Sequence, residues 1–183
     1  MSEKIDEKTK KNLLKLARMT IKNQLTHGNE TIDYEFPEIK RGAFVTLHKH
    51  GELRGCIGTF RSDKNIKEVV QDMAIAAAFE DPRFPPLKKE ELDEVDIEIS
   101  ILSPLKRIKS IDEIEVGKHG LYITRGFRSG VLLPQVATEY NWDRETFLVH
   151  TCLKAGLPED AWRDPATKIE TFTAEVFGEK DFS

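Results

Sequence analysis

Hydrophobic positions recur every three to four residues from Asp6 to His27, with Leu13, Ala17, Ile21 and Leu25 in one row and Leu14 and Leu16 widening it. That spacing predicts an amphipathic helix, capped by Asp6 and closed by Gly28 in the left-handed conformation. From Ala43 to Lys49 the period drops to two. Phe44, Thr46 and His48 fall on one side and Val45 and Leu47 on the other, the pattern of a strand. His50-Gly51 then reads as a hairpin turn, so Glu52 to Phe60 should return antiparallel beside it. A second helix is expected after a cap at Ser62 or Asp63. Its buried face is Ile66, Val69, Val70, Met73, Ala76 and Ala77, and Asp81-Pro82 stops it.

The cleanest alternation runs from Val95 to Leu102, with Val95, Ile97, Ile99 and Ile101 on one face and Asp96, Glu98 and Ser100 on the other. Beyond it the pattern predicts a short helix over 111–115, strands over 121–124 and 131–133, and a helix opened by Pro134. A helix capped by Asp143 and a terminal strand from Lys168 to Phe177 follow. Hairpins outnumber strand–helix alternations, which predicts an α+β fold, a mixture of α and β elements with a mainly antiparallel sheet flanked by helices.

Composition narrows the class. The 183 residues suit a single domain, 1–183 with a core over roughly 11–178, and charged residues make up 33% of them. The net charge of −4 argues against a dedicated nucleic-acid binder, although a local basic patch would survive it. Two cysteines lie too far apart in sequence for a metal motif, and no strand–glycine–helix phosphate fingerprint of the dinucleotide or P-loop kind occurs, so no metal and no cofactor are expected. With neither an apolar leader nor a run of ~20 apolar residues, the chain reads as cytoplasmic with no membrane partner.

The chemistry concentrates in Leu53-Arg54-Gly55-Cys56-Ile57-Gly58, where glycines frame a thiol. Cys56 is the candidate nucleophile, provided a cation or histidine lowers its pKa. Gly55 and Gly58 would offer backbone N–H groups to a developing oxyanion. If the strand is regular, Arg54 points to the same face as Cys56. His119, between Gly117 and Gly120, is the candidate base or orienter. Arg83 and Phe84 stand on a stiff proline-rich loop, and Arg128 in a glycine-framed turn. Either guanidinium suits an anion. Glu98 is the mid-strand carboxylate to watch. The bland readings stand beside these: a buried cysteine, a histidine that orders its own turn, and exposed arginines. His48 and His50 read as solvated, and Cys152 as core.

Four stretches together resemble the AMMECR domain family, named for a chromosomal region linked to Alport syndrome and midface hypoplasia. They are residues 53–58, Asp81-Pro82-Arg83-Phe84-Pro85-Pro86-Leu87, Val116-Gly117-Lys118-His119-Gly120, and Leu132-Leu133-Pro134-Gln135-Val136-Ala137, with 156–158 and Trp162 extending them. The resemblance implies two unequal subdomains around an antiparallel sheet, with the cysteine motif near a cleft between them. It implies no settled activity. It also implies partners, since prokaryotic members are often encoded beside a Memo-type protein and a radical SAM protein. Two functions follow as expectations: a cysteine-dependent enzyme, or a binding module for a small-molecule or RNA ligand or a partner protein.

Overall fold

A computed structural model describes residues 4–60 and 63–182. It holds four α-helices and eight strands: α1 (Glu7–Thr26), β1 (Ala43–Lys49), β2 (Glu52–Thr59), α2 (Ile66–Phe79), β3 (Val95–Leu102), β4 (Lys106–Arg107), β5 (Gly120–Arg125), β6 (Arg128–Leu132), α3 (Pro134–Glu139), α4 (Arg144–Lys154), β7 (Lys168–Phe172) and β8 (Ala174–Gly178). The strands form two four-stranded sheets, ordered β2-β1-β3-β8 and β4-β7-β5-β6. The fold is α+β, as the hydrophobic pattern predicts.

The chain divides into two compact units of unequal size, Met1–Leu102 with Glu175–Ser183, and Ser103–Ala174. In the larger unit Val45, Leu47, Ile97, Ile99 and Ile101 join Leu13, Leu16, Ala17 and Ile21 of α1 and Val70, Ala74 and Ala77 of α2 in one core. The smaller unit has its own core of Leu121, Ile123, Ala137, Phe147, Leu148, Cys152 and Ile169. Burying each large aliphatic side chain contributes about 1.5–3 kcal/mol, which is why the period-two and period-four rows dictate the elements.

Five boundaries differ from the pattern. Strand β6 runs from Arg128 to Leu132 rather than over 131–133, so the turn is confined to Gly126-Phe127 and Arg128 opens the strand. Asp6 caps α1 through Thr9, but the left-handed residue that ends it is His27 rather than Gly28. The cap of α2 is Asn65, whose side chain accepts from the Lys67 amide; Asp63 does not serve, and Ser62 lies outside the described residues. The terminal strand is two strands, β7 and β8, which part at Thr173 and enter different sheets. The expected helix over 111–115 is a single 3-10 turn, Ile111–Glu113.

Candidate functional site

The β1–β2 hairpin carries the cysteine motif. His50 and Gly51 both have positive φ, which gives the tight turn the right-handed twist of its strands. Thr46 is the register partner of Cys56 on one side and of Glu98 on the other. Cys56, Thr46 and Glu98 therefore form a row across three strands, on the face turned away from α2. The Cys56 N–H and C=O point outward from edge strand β2, so Cys56 and Thr46 form the narrow, non-hydrogen-bonded kind of pair. That brings the Cys56 Sγ to 3.2 Å from the Thr46 Oγ1.

The outward groups of Cys56 are satisfied by side chains. Its N–H donates to Asp81 Oδ2 at 3.0 Å, and Arg83 Nη2 donates to its carbonyl at 3.3 Å. Arg83 also grips Asp81 through Nε at 3.0 Å and Nη2 at 2.7 Å. A carboxylate and a guanidinium thus stand where a neighbouring strand's carbonyl and amide would be. The Leu53–Gly58 and Asp81–Leu87 motifs are one structure. Arg83 holds the buried Asp81 carboxyl well below the usual carboxylate range.

The strand is not regular. A bulge lies where the register passes from Leu47↔Gly55 to His48↔Leu53, and Arg54 is the extra residue. Arg54 is buried and donates from Nε and Nη2 to the two oxygens of Glu91, at 3.0 and 3.1 Å. Lys49 adds a contact to Glu91 at 3.1 Å. The Arg54 bond leads the effects that bring the Glu91 pKa down to about 2. Phe84 lies against both guanidiniums, 6.0 Å from Arg54 and 5.4 Å from Arg83.

Both glycines have packing roles. A Cβ on Gly55 would stand 2.1 Å from the backbone carbonyl oxygen of Ala77, so α2 lies directly on β2 there. A Cβ on Gly58 would stand 2.2 Å from the Phe44 ring, which crosses β2 at that point. Cys56 itself is half-buried. Burial pushes its thiol above the ordinary value, and the Asp81 and Glu98 carboxylates add to the rise. The Thr46 hydroxyl and Arg83 pull part of the way back. Glu98, with His48 and Asp96, lines a cavity of about 330 Å³ on the same sheet.

His119 belongs to the smaller unit, whereas Cys56 belongs to the larger. Its Nδ1 accepts from the Glu115 amide at 3.0 Å, and its own amide donates to the Glu115 carbonyl at 3.0 Å. Burial lowers its pKa, Lys118 and Lys106 lower it further, and Glu115 opposes them. Arg128 donates from Nη1 to the Gly156 carbonyl at 2.7 Å, closing the end of α4. Cys152 is fully buried in the core of that unit. His50 lies 3.4 Å from Glu94 in solvent, and no metal-binding cluster occurs among the described residues.

Thr46, Asp81 and Glu91 are the residues that sequence reasoning did not single out. Thr46 had a readable signal, its place on the Phe44–Thr46–His48 face. Asp81 was legible only as a helix stop. No helix among the described residues is long and apolar enough to cross a membrane.

Known proteins resemble this chain over nearly its whole length. It is 45% identical to a protein of Methanothermobacter thermautotrophicus over 91% of this chain and 92% of that one. It is 46% identical to a Thermococcus gammatolerans protein over 92% and 89%. The crystal structure of an uncharacterized protein from Pyrococcus horikoshii superposes with a TM-score of 0.90 at 41% identity, covering 96% of this chain and 94% of that one. The AMMECR1 family model matches residues 14–177, a span holding every motif described above, and the chain belongs to that family.

Proposed function

We propose that the chain is a binding module whose recognition surface includes the Cys56–Thr46–Glu98 face, rather than a cysteine-dependent enzyme working through Cys56 and His119. The state of the thiol carries this reading. A nucleophilic cysteine needs a depressed pKa. Here burial, Asp81 and Glu98 favour the neutral S–H, and the nearby cation, Arg83, is committed to Asp81. The Cys56 amide, a natural oxyanion donor, is also spent on Asp81. His119 uses Nδ1 within its own turn. Because the family match runs through both compact units, we read them as one functional domain.

On this reading the occupants are a partner protein, with the Memo-type and radical SAM proteins as first candidates, or a small-molecule or RNA ligand. The test is Cys56 alkylation against pH, followed peptide by peptide by mass spectrometry. An apparent pKa at or above the free-thiol value of ~8.5 is expected. A value well below it, shifted again by His119→Ala, overturns the module and restores the enzyme.

A further inference from the structure

We propose that the smaller unit carries a separate binding site for a small phosphate-bearing anion. The site is a cavity of about 180 Å³ whose lining includes Arg107, Lys109, Ser110, Trp162, Arg163 and Thr167. It goes beyond the reading above and involves none of the residues around Cys56.

Two independent observations converge there. The first is a cluster of cations not held in ion pairs, although the Glu113 carboxylate, which accepts from the Lys109 and Ser110 amides, lies close enough to feel the Lys109 charge. Arg107, Lys109 and Arg163 line the cavity, and none of them has an ion-pair partner among the described residues. The lining carboxylate, Asp164, is spent on Arg125 at 3.2 Å and on the Ala166 amide at 2.9 Å. Glu170 stands opposite Arg107 across the β4–β7 ladder, but it pairs with Lys168 at 3.4 Å. The second is an orphaned hydroxyl. Thr167 is more than nine-tenths buried, lines the cavity, and its Oγ1 has no hydrogen-bond partner. Buried polar atoms in folded proteins are nearly always satisfied, so an unsatisfied one on a residue that lines a cationic cavity calls for a ligand acceptor, reached once the side chain turns towards the cavity.

The surroundings are pre-organised. The Arg163 guanidinium lies over the Trp162 ring at 4.8 Å, which fixes its plane and leaves its N–H edge able to donate. The Ser110 Oγ accepts from the Asp112 amide, so its proton is available to a second acceptor. Three cations and two hydroxyl donors suit an oxyanion with many lone pairs, and guanidinium groups match phosphate geometry. The volume is below that of pockets for drug-sized ligands, which limits the occupant to a phosphate group and a short stub.

The experiment titrates the whole protein with inorganic phosphate and with glycerol 3-phosphate at low ionic strength, following backbone amides and the Trp162 indole by NMR. Saturable shifts confined to residues 107–111 and 162–167 are expected. Tighter binding of the ester would assign a phosphomonoester, and equal binding would assign free phosphate. Arg163→Gln should weaken binding about tenfold or more, the loss of a hydrogen bond to a charged group. Thr167→Val should weaken it severalfold while leaving the melting temperature at or above the parent's, since it removes the orphan. No saturation by either probe, or saturation that both variants leave unchanged, would overturn the site.

Discussion

Two glycine pairs with identical spacing, Gly55 and Gly58 in the larger unit and Gly117 and Gly120 in the smaller, solve different problems. Gly55 and Gly58 lack positive φ; they are needed for the Cβ they do not have, which would strike α2 on one face of β2 and the Phe44 ring on the other. Gly117 has a φ of 93°, a conformation that side chains resist, whereas Gly120 makes room for the Phe172 ring. The residue each pair frames differs accordingly. Cys56 sits in a strand held by long-range polar contacts, and His119 in a turn that it helps to tie. A glycine beside a reactive side chain marks a close approach, and what approaches is here the protein itself.

The largest expected effect separates the members of the first pair. In Gly55→Val the obstacle is backbone, which cannot swing aside, so the cost should be at least about 3 kcal/mol, the upper range for overpacking. At this chain length that lowers the melting temperature by roughly 6–12 °C. Gly58→Val meets a side chain that can move, and should cost about 1–3 kcal/mol. Thermal denaturation checks both. Equal melting temperatures for the two variants would dissolve the distinction.

A second expectation contrasts the two regions in acid. Glu91 binds fewer protons folded than unfolded, so its contribution is whole above the ordinary value of 4.5 and disappears as pH falls towards about 2. Asp81 behaves alike, with its window lying below 3.8. His119 is also depressed, so its contribution is whole above 6.5 and fades as pH falls below that. Amide exchange should therefore show the Glu115 N–H losing protection first as pH falls below 6.5, while the Cys56 N–H, bonded to Asp81, keeps its own until pH falls below 3.8. Simultaneous loss would refute the contrast.

The smallest effect is His119→Ala. It removes an acceptor from a solvent-accessible amide and should cost about 0.5–1 kcal/mol in a denaturant melt. A cost of several kcal/mol would mean that the imidazole does more than order its turn.

Much of this was legible in the residues. Alternation over 95–102 gave β3 to the residue because its two faces meet unlike surroundings. The Cys56–Thr46–Glu98 row follows once the registers are known, since period two puts all three on one face. What was illegible came from contacts distant in sequence. Nothing local says that Asp81 will cap an edge strand 25 residues away, or that Arg54 will be lifted out of register towards Glu91. The split at Thr173 was hidden for a related reason: apolar and β-branched residues run straight through it, and only the partner sheets tell the two halves apart.

That split has a consequence for how the protein is made. The larger unit is interrupted by the smaller, and it recovers β8 only after residue 174. Glu175, which receives the Ile5 amide and Arg41, and Glu179, which receives Arg18 and the Ile97 amide, arrive with it. On the ribosome, β3 must wait with an unpaired edge, and two arginines without their carboxylates, while the whole of the smaller unit is synthesised. Vectorial synthesis therefore reverses the order of the chain: the unit that begins first is the one that finishes last.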